Sequence, residues 1–487
     1  MASPEPLLIV FVHGWGATGT AAYGGLPAAL AGALGERGEV VHIELGRYVS
    51  FRDEVTLPDL ARAFDAALAE LLAGRRHRGR VACIAHSTGG PLLREWLHRH
   101  VEEPRRPCPV SHLVMLAPAN FGSALAQLGK SRLAALAAWF GGIEPGQGVL
   151  DWLELGSDAG YRLAHAWLSP ERPRRGWPWL FVLSGDGIDR RLYDHVNAYT
   201  GETGSDGVVR LASANLNASY LRLRQDAPRR ADAPAALRVA ELRRARPTAF
   251  RILPGVAHTG PRMGIMTARD PRPTLEPLLR CLAVRDPRGY RALTAAFAHE
   301  NAVHQDVANR VEVQRVPLLP DRVFIHDPHA MLVVRIFDQS GARPGDADVL
   351  LTGPGGDPDR LPRGFLTDRQ GNSRHPGVVT FHLNLASLAG SPAVVAADGR
   401  VLRPALPGGG PYGLLVRPRG GARRVVGHVQ GRLDATELDL LDVLHPNETT
   451  ILDIVMHRTV RRGAFRLGPA DGPTVDFRRE PMGDGVV

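Results

Sequence analysis

The stretch Val81-Ala82-Cys83-Ile84-Ala85-His86-Ser87-Thr88-Gly89-Gly90-Pro91 decides how the rest of the chain is interpreted. It begins as a short apolar run, which is typical of a buried strand. The run breaks at Ser87 and continues as a helix-like segment over residues 92–97. The stretch therefore predicts a strand, a tight turn that carries a serine, and a helix.

A serine on a sharp turn between a buried strand and a helix is typical of a nucleophile elbow. The residues two before and two after the serine nearly touch at such a turn, so both must be small. They are Ala85 and Gly89, where glycine is usual at both positions. No other serine has small residues at both flanking positions after an apolar run. Ser87 is therefore the predicted nucleophile.

Strands and helices are predicted to alternate through residues 1–285. Apolar runs typical of central strands occur at 7–12, 40–45, 81–86, 112–117, 179–184 and 249–253. Helical spacing or composition marks 25–34, 57–72 and 275–282. This alternation predicts an α/β domain with a mostly parallel sheet that helices cover on both faces. We interpret 220–224 as a further strand and 226–246, rich in Arg, Ala and Pro, as a polar surface connection with some helix.

Two other regions have a different texture. Residues 119–178 contain no clear strand and form helical, tryptophan-bearing pieces at 133–140, 151–155 and 161–168, so they are predicted to be an insertion. Residues 286–317 are interpreted as a linker with one helix, over 290–299. From 318 to 487, short alternating runs are separated by Gly/Pro turns, for example at 322–325, 331–337, 378–385, 413–416, 424–429 and 451–456. That pattern predicts an antiparallel, all-β sandwich-like domain.

A serine nucleophile needs a base, and the base needs an orienting acid. His258 follows the last predicted strand across a short turn and is the candidate base. Two acids compete: Asp186 directly after the strand 179–184, and Asp206 in Ser-Asp-Gly-Val-Val at 205–209. We favour Asp206, because an acid followed by an apolar pair can be held under the histidine loop and shielded from water.

The oxyanion hole requires two backbone N–H groups. One is predicted from Thr88, the residue after the nucleophile, and the other from Trp15 in the His-Gly-Trp-Gly turn at 13–16. Neither position needs a particular side chain. The glycines let the backbone approach the substrate.

Composition narrows the function classes. The net charge is +9 with 44% apolar residues, and Lys130 is the only lysine. No compact basic helix or aromatic-plus-basic strand indicates nucleic acid, whereas attraction to an anionic membrane surface stays open. Three cysteines cannot form a disulfide framework. With no signal peptide and no membrane-spanning stretch apparent, we expect a cytoplasmic protein, and signal-independent export stays open.

The motifs at 13–16, 85–90, 116–123 (Leu-Ala-Pro-Ala-Asn-Phe-Gly-Ser) and 205–209, together with the late His258, resemble the bacterial lipase branch of the α/β-hydrolases. The resemblance covers about the first three-fifths of the chain. In that branch the acid lies in an Asp-Gly-Val-Val segment, which supports Asp206. The run from Pro261 to Met266 after His258 departs from the usual pattern. Some members bind calcium near the histidine loop, but no matched pair of acids is present, so no metal is expected.

The resemblance places the insertion 119–178 where such lipases carry a lid, and a moving lid and a fixed cap stay open as alternatives. We expect a serine hydrolase of lipid carboxylic esters, either a lipase or a phospholipase, that acts through an acyl-enzyme without a cofactor. Two rivals remain. One is an acyltransferase that uses the same three residues. The other is a non-catalytic scaffold whose main role is binding through the C-terminal domain, to a lipid, a protein partner or a secretion apparatus.

Overall fold

The computed structural model describes residues 6–13, 23–44, 54–75, 79–126, 146–169, 176–189, 202–228, 233–306, 311–314, 322–344, 347–396, 398–419 and 426–460. Its helices are α1 (Leu26–Leu34), α2 (Leu57–Ala73), α3 (Gly89–Trp96), α4 (Gln147–Leu153), α5 (Asp158–Trp167), α6 (Leu211–Ala214), α7 (Arg272–Leu282), α8 (Pro287–His304) and α9 (Leu385–Ala389). A π-helical turn, Leu97–Glu102, continues α3.

The strands, in chain order, are β1 (Leu7–His13), β2 (Gly38–Glu44), β3 (Val81–His86), β4 (His112–Leu116), β5 (Trp179–Gly185), β6 (Ala218–Gln225), β7 (Ala235–Arg244), β8 (Ala249–Leu253), β9 (Val311–Gln314), β10 (Arg322–Ile325), β11 (His329–Asp338), β12 (Ala347–Thr352), β13 (Leu366–Gly371), β14 (Val378–Asn384), β15 (Val394–Val395), β16 (Val401–Arg403), β17 (Gly413–Pro418), β18 (Val426–His428), β19 (Gly431–Leu433), β20 (Thr449–Met456) and β21 (Arg458–Val460).

Six of these strands form a parallel sheet in the order β2-β1-β3-β4-β5-β8. Its two faces are covered by different helices. Val10 points to the face that packs against Phe64 of α2 and against α3. Phe11 points to the opposite face, which is covered by Leu30 of α1, by α7 and by Phe297 of α8. The predicted parallel sheet with helices on both faces is confirmed. The loops after β3, β4, β5 and β8 all leave one edge of it, where ligands bind in open α/β sheets.

A second, nine-stranded sheet has the order β12-β17-β19-β7-β6-β20-β11-β14-β13. The predicted all-β C-terminal region is confirmed, but the sheet is mixed rather than antiparallel. The pairs β11–β20, β20–β6 and β19–β7 are parallel. Each of these pairs joins strands that lie far apart in sequence, and such strands are free to run in either direction.

The interpretation of 226–246 as a surface connection with some helix is wrong, because Ala235–Arg244 is strand β7, paired antiparallel with β6. Buried Ala235 and Leu237 are followed by exposed Arg238, so the segment alternates as a half-buried strand does. Exposed Leu242 and half-buried Glu241 and Arg243 obscured this period. Two strands from before residue 285 therefore belong to the nine-stranded sheet, and sheet membership does not follow the predicted boundary at 285.

The helix expected in the linker 286–317 packs on the parallel sheet as α8. Tyr290 Oη donates to the Leu180 carbonyl oxygen at 2.8 Å. Asn301 Nδ2 donates to the Phe250 carbonyl oxygen at 2.9 Å, and Asn301 Oδ1 accepts from the Ile252 N–H at 2.9 Å. The helix thereby covers the edge strand β8 and is part of the first core.

The described helices of the insertion, α4 and α5, lie between the two sheets. Trp152 packs in the core beside the parallel sheet. Tyr161 of α5 donates to Asp453 of β20 at 2.7 Å, and the Arg335 guanidinium stacks on its ring. The predicted helical piece 133–140 and Trp139 lie outside the described residues. Within the described residues, no helix combines the length and apolarity that a membrane crossing requires.

Candidate active site

Ser87 lies on the turn between β3 and α3, with a positive φ of 54°. A non-glycine residue in this region of φ/ψ space is held there by its surroundings. The Ser87 N–H donates to the Leu116 carbonyl oxygen at 2.9 Å, while the Ser87 carbonyl oxygen accepts from the Gly90 N–H at 3.1 Å. These bonds on both sides of the residue hold its side chain beyond the end of the sheet.

The turn is as crowded as the sequence predicts. A Cβ atom added to Gly89 would lie 2.8 Å from the Ala85 Cβ, closer than side-chain carbons approach one another. The methyl group of Ala85 thus fits only because Gly89 has no side chain. This contact explains why the small pair 85/89 accompanies a serine on such a turn.

His258 reaches the serine from the loop after β8. Its Nε2 lies 3.2 Å from Ser87 Oγ. Its backbone N–H donates to the Asp206 carbonyl oxygen at 3.0 Å. The loop after it, where the sequence departs from the lipase pattern, is closed by the Ile265 N–H, which donates to the Ala257 carbonyl oxygen at 2.9 Å. The histidine side chain is buried and held at both backbone and ring.

Asp206 is fully buried and bonds to His258. Its Oδ2 lies 2.8 Å from His258 Nδ1, and its Oδ1 accepts from the N–H groups of Val208 at 3.0 Å and Val209 at 2.7 Å. A carboxylate only accepts hydrogen bonds, so Nδ1 carries the imidazole proton and Nε2 presents its lone pair to Ser87. The apolar pair that follows the acid supplies the two backbone donors.

Asp186, the alternative acid, occupies a different place. It follows β5, where its Oδ1 accepts from the Gly255 N–H at 2.9 Å and its Oδ2 lies 2.5 Å from His304 Nε2. Its bonds among the described residues are therefore to the turn after β8 and to α8. The geometry brings Asp206, and not Asp186, to the ring of His258.

Of the two predicted oxyanion donors, Thr88 and Trp15, only Thr88 lies within the described residues. Thr88 is buried and is the N-cap of α3, so its backbone N–H precedes the first intrahelical bond. This N–H belongs to the residue next to Ser87, at the N-terminus of α3, where the first N–H groups of a helix have no intrahelical partner. Trp15, the other expected donor, lies outside the described residues.

His86 is a neighbour that sequence reasoning missed. Its ring centroid lies 4.5 Å from that of His258. Burial lowers the pKa of His86 well below its usual range, and the nearby His258 adds to the effect. A neutral His86 adds bulk beside the base without adding a competing positive charge. Its position directly before the predicted nucleophile was the only signal in the sequence.

Across the residues that the structure describes, no three or more His, Cys, Asp or Glu side chains are grouped so as to hold a metal ion. Ser87, His258 and Asp206 form a hydrogen-bonded chain from hydroxyl to imidazole to carboxylate. Such a chain can move a proton away from the hydroxyl as its oxygen attacks a carbonyl carbon.

Comparisons with solved structures point to one protein over nearly the whole chain. Two structures of the phospholipase PlaB from Legionella pneumophila match, each with a TM-score of 0.82. The sequence identity is 36% for one and 35% for the other, which is a complex with thio-NAD. Each match covers 99% of this chain and 100% of the other. The mature lipase BlEst2 from Bacillus licheniformis matches at 20% identity and a TM-score of 0.32, over 44% of this chain and 80% of that one. No family model and no curated protein matches.

Proposed function

The chain belongs to the family of the Legionella pneumophila phospholipase PlaB, and on that premise we propose that it hydrolyses the carboxylic esters of phospholipids. The fold is that of an α/β-hydrolase and the activity class is carboxylic ester hydrolysis. We assign the chemistry to Ser87, His258 and Asp206. The observation that carries this assignment is the continuous chain of contacts, 3.2 Å from Ser87 Oγ to His258 Nε2 and 2.8 Å from His258 Nδ1 to Asp206 Oδ2.

In the first half of the reaction, His258 Nε2 takes the proton of Ser87 as Oγ attacks the ester carbonyl carbon. Asp206 holds the ring in the required tautomer and stabilises the imidazolium that forms. The Thr88 N–H donates to the oxyanion, and we assign the second donor to the Trp15 N–H on the sequence motif. His258 then returns its proton to the departing alcohol oxygen, which leaves an acyl group on Ser87.

In the second half, a water molecule replaces the alcohol. His258 takes a proton from the water as it attacks the acyl carbon, and returns that proton to Ser87 Oγ as the fatty acid leaves. The buried position of Asp206 supports this role, since a carboxylate shielded from water acts more strongly on the imidazolium.

We propose that the described part of the insertion acts as a fixed cap beside the site. Asp453 accepts from both Tyr161 and Tyr220 and lies 3.6 Å from the Arg335 guanidinium, so α5 is tied to the nine-stranded sheet by a charged network.

Phospholipid esters lie at membrane surfaces. A net charge of +9 favours transient contact with anionic ones.

Replacement of the nucleophile tests the proposal. Ser87→Ala removes the attacking oxygen, so hydrolysis of a p-nitrophenyl ester should fall by at least roughly 10⁴-fold while the melting temperature stays near that of the parent. The matched control is Ser111→Ala, because Ser111 precedes β4 at the opposite edge of the sheet and should leave activity unchanged. Full activity of Ser87→Ala would sink the assignment.

Product analysis tests the substrate class. The enzyme should release fatty acid and lysophospholipid from vesicles of mixed phospholipids faster than it releases fatty acid from emulsified triglyceride, as mass spectrometry can follow. Transfer of the acyl group to an added alcohol, in place of release as fatty acid, would instead identify an acyltransferase.

A further inference from the structure

The loop that carries Asp206 is closed on itself at its base. The Leu211 N–H donates to the Gly204 carbonyl oxygen at 2.9 Å, and Ser205 and Arg210 form an antiparallel bridge. Asp206 therefore lies at the tip of a hairpin-like loop over residues 202–211, the acid loop. Whatever holds the base of this loop also determines where the carboxylate points.

A buried charge cluster holds that base. The Arg210 side chain is 2% exposed. Its Nε and Nη2 donate to the two carboxylate oxygens of Glu202 at 2.8 and 2.9 Å, and Nη2 also donates to Asp368 of β13. Burial disfavours the charge of the guanidinium, but the two carboxylates outweigh this effect and raise the pKa of Arg210. One cation thus bridges the acid loop and the nine-stranded sheet.

Two histidines of the same sheet press on the loop. His329 of β11 and His382 of β14 are stacked, with ring centroids 4.5 Å apart. His382 Nε2 lies 3.4 Å from the Thr203 carbonyl oxygen. A Cβ atom on Gly204, whose φ is +76°, would lie 2.9 Å from His329 Nδ1. The loop is thus in close contact with the sheet at several adjacent residues.

We propose that Arg210 is a positioning residue, which through Asp368 uses the C-terminal sheet to fix the Asp206 carboxylate against His258. This inference rests on the proposed function, since it assigns Arg210 and Asp368 a role in orienting that acid. It makes the C-terminal region a working part of the active site. A displacement of about 1 Å in such a group can cost roughly 100-fold in rate.

The first variant removes the inter-sheet ion pair and keeps its shape. Asp368→Asn should lower kcat for a p-nitrophenyl ester by roughly 10- to 100-fold with little change in KM, because the acid is displaced and the substrate contacts are not. The matched control is Asp338→Asn. Asp338, like Asp368, is an arginine-paired carboxylate of this sheet, and it is buried, but it lies at the far end of β11 from His329. It should lose stability and keep kcat.

A double-mutant cycle distinguishes positioning from a merely structural role. If Asp368 acts through Asp206, then Asp206→Asn combined with Asp368→Asn should be within about threefold of Asp206→Asn alone. If Asp368 only stabilises the fold, Asp368→Asn lowers kcat by the same factor in the parent enzyme and in Asp206→Asn, and that result would overturn the proposal. Equal kcat values for Asp368→Asn and Asp338→Asn would also overturn it. By contrast, full activity of Asp206→Asn would remove the proposed triad itself.

A second variant keeps the test decisive should Asp368→Asn fail to fold. Gly204→Ala changes no charge but forces the loop away from His329. It should give the same selective loss of kcat, and that loss should likewise disappear in the Asp206→Asn background. Unchanged kcat in folded Gly204→Ala would contradict the proposal.

Discussion

The nucleophile turn and the acid loop meet at His258 but are supported in different ways. The turn at Ser87 is held by contacts with Ala85, Gly90 and Leu116. These residues lie in the adjacent elements β3, α3 and β4 of the parallel-sheet region. The acid loop is held by Arg210, whose partner Asp368 lies 158 residues further along the chain. One half of the site is therefore built by local sequence, whereas the other depends on a second sheet. Changes near the turn and changes in the C-terminal region should consequently damage activity in different ways.

The largest expected effect separates the two candidate acids. Asp206→Asn should lower kcat by roughly 10⁴-fold, because an amide favours the wrong imidazole tautomer at His258. Asp186→Asn should leave kcat within a few-fold, since Asp186 bonds to Gly255 and His304 instead. Steady-state kinetics of the two variants measure this. Inactivity of Asp186→Asn with an active Asp206→Asn would reverse the assignment.

A smaller effect should come from pH, which changes the free energy of unfolding through His329, the histidine that lies against Gly204 of the acid loop. Burial lowers the pKa of His329 to about 4, against about 6.5 in an unfolded chain. Between these values the unfolded state binds the extra proton. The contribution of His329 is therefore complete above about pH 6.5 and is lost as the pH falls towards 4. From the shift, the loss between pH 7 and pH 5 is about 2 kcal/mol.

Denaturation of His329→Gln at the two pH values checks the direction and the size of this loss of stability. The decrease in unfolding free energy from pH 7 to pH 5 should be smaller in this variant than in the parent, by about 2 kcal/mol. His299→Gln, at an exposed position of α8, is the control and should keep the parent's pH dependence. Identical pH dependence in the parent and His329→Gln would contradict the assignment of a buried, neutral His329.

A further comparison makes the same substitution at two glycines, one in the turn at Ser87 and one at an exposed position of a helix. Gly89→Ala places a methyl group 2.8 Å from Ala85 Cβ and should cost about 1–3 kcal/mol of stability, together with a loss of kcat. Gly32→Ala, in α1, meets nothing within 4 Å and should raise stability by about 0.5–1 kcal/mol with kcat unchanged. Thermal unfolding and kinetics report both. A well-tolerated Gly89→Ala would show that the turn is less crowded than described.

The parts that sequence predicts well are those fixed by local pattern. The strands β1, β3, β4, β5 and β8 were expected within one residue of their observed ends, because fully apolar runs mark buried parallel strands. The nucleophile turn follows from the small pair Ala85 and Gly89. Ser87, Asp206 and His258, which the structure brings into contact, also come in the chain order that the loops of such a parallel sheet allow.

The parts that sequence misses depend on distant partners. Strand β7 has Leu242 on its exposed face and charged Glu241 and Arg243 on the other face, so its alternation was hidden. Strand β6 pairs with a strand 231 residues later, from Ala218 to Thr449, and β7 with one 196 residues later, from Ala235 to Gly431. Nothing near Asp368 indicates that it pairs with Arg210. An arginine directly after the apolar pair Val208-Val209 was the only hint that a buried cation supports the acid loop.

The central claim is that Ser87 forms an acyl-enzyme, and trapping that species tests it most directly. The enzyme is mixed with a p-nitrophenyl ester, quenched in acid during turnover, digested and analysed by mass spectrometry. The account predicts that the peptide containing Ser87 gains the mass of the acyl group, and that Asp206→Asn accumulates it more slowly. An unmodified Ser87 peptide during turnover, with the acyl group on another residue, would contradict the account.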